Sequence, residues 1–223
     1  FFMNSLNATI TAVGGYVPEY VLTNKILESM VETNDQWIVS RTGIKERRIL
    51  KGNELGSSFL AINAAKDLLA KKNIDPTTID LVIVATATPD MQAASTASYT
   101  ATQIGAINAF SFDMDAACSS FLFGMSVAAR YIESGAYKKV LLIGADKNSS
   151  MIDYTDRATC IIFGDGAGAV LFEPNNEGLG MQDEILKTDG KGRDFLKVKS
   201  GGSFLPTDNE AIKNGDQFIR QDG

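Results

Sequence analysis

Apolar residues in this chain fall by turns into short unbroken runs and longer stretches spaced by three and four, the signature of strands alternating with helices. Residues 8–13 predict a first strand, closed by Gly14-Gly15 and a turn around Pro18. Thr23 or Asn24 can cap a short helix carrying Ile26, Leu27 and Met30. A second helix follows, in which Thr33 and Gln36 have capping-box spacing and Gly43 supplies a stop. Over 56–72, Ala61, Ala64, Ala65, Leu68 and Leu69 share one face while Lys66, Asp67, Lys71 and Lys72 lie off it, which predicts an amphipathic helix. Leu81-Val82-Ile83-Val84-Ala85 is apolar throughout, as a strand buried on both faces of a mostly parallel sheet must be. A loop with Pro89 and Asp90, a helix over 95–105, a strand over 109–114, a helix after Cys118 ended by Gly135, and a strand over 140–143 continue the alternation. Such a βαβα order predicts layered α/β architecture with a parallel core.

Two stretches depart from the simple pattern. Phe121, Met125, Ala128 and Ile132 follow Cys118 at helical spacing, but Leu122, Phe123, Val127 and Ala129 carry the apolar surface nearly all round. That helix is predicted to be buried on every side, between two sheets or against a partner subunit. The second stretch is 160–172, where Cys160 to Phe163 reads as a strand before Gly164-x-Gly166-x-x-Ala169. The glycine spacing formally matches a dinucleotide fingerprint, yet β-favouring Val170-Leu171-Phe172 follows instead of a helix, so the match is rejected. The glycines then serve a tight turn or close backbone packing, and Cys160 reads as a core thiol. Beyond Pro174 short apolar pairs among Gly, Asn and Asp predict excursions and hairpins without a second core.

Composition narrows the chemistry. A net charge of -6 over 223 residues weighs against a nucleic-acid or anionic-membrane surface. Apolar runs stay well below the ~20 residues that span a bilayer. Two cysteines make no disulfide framework, which points to a reducing cytoplasm. The sequence contains no histidine, so imidazole catalysis and the usual zinc sites are excluded within these residues, and no metal is expected. Cys118, after a strand and before a helix, stands where unpaired N–H groups and the helix dipole favour a thiolate. An inert packed thiol remains the alternative on position alone. Trp37 and Arg41, four apart, share one helix face, which suits an aromatic phosphorylated ligand. A core Trp with a surface Arg is the other reading.

Four motifs stand in register: Asp113-Met114-Asp115-Ala116-Ala117-Cys118-Ser119-Ser120-Phe121, the run from Thr33 through Trp37 and Arg41 to Ile44, Thr155-Asp156-Arg157, and Phe163 to Ala169. In order and spacing they resemble the β-ketoacyl-acyl carrier protein synthase III family of thiolase-fold condensing enzymes. The resemblance implies an α/β, thiolase-like αβαβα layered sandwich, here mainly the first of two duplicated halves. Residues 1–173 would be the N-terminal half carrying the nucleophile, and 174–223 a lid segment leading to a C-terminal half that supplies the family's His and Asn. It also implies that Cys118 takes an acyl group from acyl-CoA, and that malonyl-acyl carrier protein then loses CO2 and attacks the thioester. Trp37 and Arg157 would sandwich the adenine of CoA, with Thr33 and Arg41 nearby. Ile162 and Phe163 would line the pantetheine and acyl tunnel, and Ala93 would reach into a partner's acyl pocket, its small side chain suggesting a roomier one. A homodimer working in the cytoplasm with CoA thioester as substrate and no further cofactor is implied, with neither nucleic acid nor membrane as partner. Ala94 stands where members usually show Pro, and Ser120 where Gly is more usual. Without His, these residues alone are expected to accept an acyl group but not complete the condensation. Two other readings are another thiolase-fold acyltransferase and a non-catalytic CoA-binding or dimer scaffold.

Overall fold

The computed structural model describes residues 6–222. In chain order the elements are β1 (Asn7–Tyr16), β2 (Tyr20–Thr23), α1 (Asn24–Leu27), α2 (Asp35–Thr42), β3 (Glu46–Ile49), α3 (Ser57–Lys72), β4 (Leu81–Ala85) and α4 (Thr96–Ile104). They continue with β5 (Phe110–Met114), α5 (Ser120–Glu133), β6 (Val140–Lys147), α6 (Arg157–Cys160), β7 (Asp165–Asn175), β8 (Leu196–Val198), α7 (Asn209–Asn214) and β9 (Ile219–Gln221). The chain divides into two compact units.

The first unit comprises the segment ending at Pro18, Lys51–Lys147 and Gly166–Leu186. Its five-stranded sheet has the order β1-β7-β6-β4-β5. All five residues of β4 are buried, and the strand pairs in parallel with both β5 and β6, as its unbroken apolar run requires. β1 closes the far edge antiparallel to β7. The two outer glycines of the sequence pattern explain a difference from expectation. β1 does not stop at Gly14-Gly15 but runs through them, because Gly14 pairs with Ala169 and Gly15 with Gly168. A Cβ on Gly14 would meet Ala64 O and Leu68 N of α3 at 2.5 Å, so a bare backbone lets the strand press on that helix. Gly124 plays the same part for α5, where a Cβ would come within 2.6 Å of Leu142 Cδ1 on β6. The core joins Leu81, Ile83, Ala128, Ala129, Ile132, Val140, Leu142 and Phe172. Leu122, at 59 % exposure, shows that α5 is not covered all round among the described residues.

The second unit comprises Glu19–Leu50, Asn148–Asp165 and the segment from Lys187 onward. It contains two antiparallel pairs, β2 with β3 and β8 with β9. Its core gathers Leu22, Leu27, Ile38, Ile49, Ile152, Cys160, Ile161 and Ile219. Thr23 caps α1 as expected, its hydroxyl accepting the Ile26 N–H. α2 is capped one residue later than the Thr33 spacing suggests: Asn34 Oδ1 accepts the Trp37 N–H at 2.8 Å, and Gly43 ends the helix at φ 72°. The strand expected over 160–163 is instead the end of a helical turn, since Asp156 accepts the Ala158 N–H and opens α6. No helix among the described residues is long and apolar enough to cross a membrane.

Candidate active site

Strand β5 ends at Met114, and the next residues are too small to fix a turn by packing. Hydrogen bonds do it instead. Asp115 Oδ1 accepts the Ala117 N–H at 2.8 Å, and the Ser120 hydroxyl accepts the Ala116 N–H while donating to the Ala117 carbonyl, both at 2.6 Å. Ala117 is thereby held at φ 49°, in the left-handed region that costs a residue with a Cβ. Cys118 sits in the middle of the resulting 3₁₀ turn, Ala117–Ser119, just ahead of α5 and exposed to solvent. The thiol thus stands beside the helix start and not within its first turn.

The surroundings of this turn in the first unit are organised by two further aspartates. Asp113 accepts the Thr96 N–H at 2.8 Å and the Ala97 N–H at 2.6 Å, tying β5 to the start of α4. Asp146, from β6, accepts the Ala87 N–H at 2.9 Å and bonds the Thr86 and Thr88 hydroxyls. Between them runs the 89–95 loop, in which Ala93 has φ 69°. Ala93 lines a cavity of about 480 Å³ together with Pro89, Gln92, Phe112, Asp113 and Asp115; Cys118 does not line it.

In the second unit the predicted nucleotide-binding residues converge on one indole. Arg157 Cζ lies 4.9 Å from the Trp37 ring centroid and Arg41 Cζ lies 5.8 Å from it. Arg157 Nη1 donates to the Glu32 carbonyl at 3.1 Å, which holds the guanidinium over the ring. Thr33 Oγ1 is buried with no hydrogen-bond partner among the described residues. Trp37, Ile162 and Phe163 are half-buried and pack on the same core cluster. Beneath them lies a residue that periodicity does not single out, Arg47. It is buried, donates through Nε to the Ile161 carbonyl at 2.9 Å, bonds the same oxygen through Nη2, and reaches Asn24 Oδ1 through Nη1. Burial pulls its guanidinium below the ordinary arginine range. Its one sequence signal is the paired Arg47-Arg48 inside a four-residue strand, where one side chain of an adjacent pair must face inward. Cys160 lies in the same core, its thiol pushed up by burial and then by Asp156.

Residues 112–190 match the family model described as 3-oxoacyl-[acyl-carrier-protein (ACP)] synthase III. The chain is 54% identical over 221 residues to β-ketoacyl-[acyl-carrier-protein] synthase III 2 of Bacteroides thetaiotaomicron, covering 99% of this chain and 66% of that protein. It is 50% identical over 220 residues to the β-ketoacyl-[acyl-carrier-protein] synthase III of Chlorobium phaeovibrioides, covering 98% and 67%. A crystal structure of 3-oxoacyl-[acyl-carrier-protein] synthase III from Aquifex aeolicus aligns with a TM-score of 0.79 at 38% identity, over 96% of this chain and 64% of that one. The chain therefore spans about two thirds of the length of the curated relatives it matches.

Proposed function

The chain belongs to the 3-oxoacyl-[acyl-carrier-protein] synthase III family, with its thiolase-like α/β fold, and we propose that the protein starts acyl chains by loading an acyl group from acyl-CoA onto Cys118 and condensing it with malonyl-acyl carrier protein. The observation that carries this reading is the turn at Cys118, an exposed thiol on a backbone held in a strained conformation by two side chains.

Loading is a thioester exchange. The Cys118 sulfur attacks the acyl carbonyl, the new C–S bond forms, and the CoA sulfur leaves and takes up the proton. The Ala116 and Ala117 N–H groups are engaged by Ser120 and Asp115, so the Cys118 N–H is the donor we assign to the developing oxyanion. Trp37, Arg41 and Arg157 would hold the adenine and phosphates of CoA, a planar base on the aromatic–cation stack and anions on the guanidinium groups. The buried Thr33 hydroxyl, with its bonding capacity open, would meet the same end of the ligand. Ile162 and Phe163 would line the pantetheine and acyl path, and Ala93 the acyl pocket of a partner. In the second step malonyl-acyl carrier protein loses CO2, the carbanion attacks the Cys118 thioester carbonyl, and the C–S bond breaks to give the β-ketoacyl product on the carrier protein and the Cys118 thiolate, which takes a proton from solvent. Since these residues include no histidine, they are assigned the acyl-carrying step alone. Residues 1–173 are taken as the nucleophile-bearing half and 174–223 as an excursion from it. A cytoplasmic homodimer with CoA thioester as substrate and no resident cofactor completes the reading.

Intact-protein mass spectrometry after incubation with acetyl-CoA tests it. One acetyl adduct per chain, lost in Cys118→Ala, is expected; an adduct that survives the substitution would sink the assignment.

A further inference from the structure

A single buried hydroxyl bonds two backbone groups of the nucleophile turn. Ser120 is 3 % exposed and opens α5, and its Oγ accepts the Ala116 N–H and donates to the Ala117 carbonyl, each at 2.6 Å. The Ala117 carbonyl also accepts the Ser120 N–H, so one oxygen closes the turn through both the backbone and the side chain of the same residue. Between these two bonded peptide units lies Ala117 at φ 49°, a conformation that alanine leaves unless its neighbours over-determine it. Asp115 restrains only the Ala117 N–H, and it does so from an exposed position. The Ser120 hydroxyl belongs to a buried side chain and bonds the backbone on both sides of the Ala116–Ala117 peptide, so its two part-buried bonds restrain the turn more fully than Asp115 does.

We propose that Ser120 is a positioning residue for the proposed acyl transfer: its hydroxyl locks the Ala116–Ala117 turn and so aims the Cys118 thiol at the acyl carbonyl. The side chain does not touch the substrate. Its effect is on the angle and distance of attack, where a misplacement of about 1 Å can cost on the order of a hundredfold in rate. Alanine or glycine at 120 removes both hydroxyl bonds and frees Ala117 to relax. Threonine keeps the oxygen and its proton.

This inference rests on the proposed acyl transfer, so its test is built to separate the two. In the full-length protein, Ser120→Ala and Ser120→Gly are expected to slow single-turnover acylation by saturating acetyl-CoA by about tenfold or more. KM for acetyl-CoA and the rate of Cys118 alkylation by iodoacetamide, a small reagent indifferent to aim, should stay within about twofold, and Ser120→Thr should recover most of the loss. Hydrogen exchange at the Ala116 amide should speed up about tenfold in the alanine variant. Ser126→Ala, another buried serine of α5, controls for general loosening of that helix. Acylation within twofold of wild type in both the alanine and glycine variants would overturn the proposal, as would an equal loss in Ser126→Ala. Unchanged exchange at Ala116 overturns it independently of any activity. Absence of acylation in the wild type strikes the proposed function, while the exchange measurement still decides whether Ser120 holds the turn.

Discussion

The nucleophile turn and the Trp37 cluster solve opposite problems. Around Cys118 the side chains are methyls and hydroxyls, and the geometry is written in backbone hydrogen bonds to Asp115 and Ser120. Around Trp37 the backbone is an ordinary capped helix, and the geometry is written in long side chains converging on an indole. The first arrangement concentrates strain on one residue, Ala117, and presents one reactive atom. The second spreads modest attractions over several groups and presents a surface. A turn of the first kind should fail sharply when one atom is removed, and a surface of the second kind should weaken by degrees.

The strongest break of that contrast is Cys118→Ala, which should abolish acyl-adduct formation and leave the fold intact, checked by mass spectrometry and circular dichroism. Next comes Arg47→Ala. It leaves the Ile161 carbonyl and Asn24 buried without their guanidinium, and the expected cost is about 3 kcal/mol of stability, read by denaturant unfolding. A loss that large in the second unit would show that its surface also depends on one buried anchor. Arg157→Ala sharpens the comparison in the expected direction: an exposed guanidinium stacked on the ligand's base is worth about 1 kcal/mol, so KM for acyl-CoA should rise about fivefold with kcat little changed in steady-state assays. Smallest is Tyr154→Phe. The phenol is buried without a hydrogen-bond partner among the described residues, and burial, then Asp165, pushes its pKa up from 10.0 to about 12. The folded state therefore binds that proton more tightly than the unfolded chain does. Stability from this group is intact below pH 10 and is lost as pH rises from 10 toward 12. Phe at 154 should change stability at neutral pH by less than about 1 kcal/mol and soften the alkaline loss, which thermal melts across that pH range would register.

The layered core was legible because burial leaves a mark in composition. Leu81–Ala85 had to be an interior strand, and 56–72 an amphipathic helix, whatever else the chain did. The ends of elements were less legible, because adjacent residues compete for the same role. Thr33 and Asn34 can both cap a helix, and Asn34 takes it. Ile161, Ile162 and Phe163 favour a strand by composition, yet Asp156 opens a helical turn just before them. Of the glycines of 164–168 only Gly164 is closely packed, a Cβ there meeting Arg47 Cβ and Arg48 O at 3.2 Å, while Gly168 pairs with Gly15 with open space beside it, so a tight turn or close packing was the wrong expectation for most of a run that is strand. In the candidate site, Trp37 and Arg41 follow from helical spacing, whereas Arg157 comes from a distant segment that no local period connects to them. The pattern placed Cys118 between a strand and a helix; the Ser120 clamp beside it depends on a rotamer that sequence does not record.

The two cysteines end in opposite environments, Cys118 open to solvent and Cys160 at 1 % exposure in the core of the second unit. In the native state a thiol-reactive dye therefore finds one fast site in these residues, and on unfolding it finds two. The count itself becomes a clock for opening: a second equivalent of dye, arriving late, times the exposure of the Leu27–Ile38–Cys160 core without any engineered label.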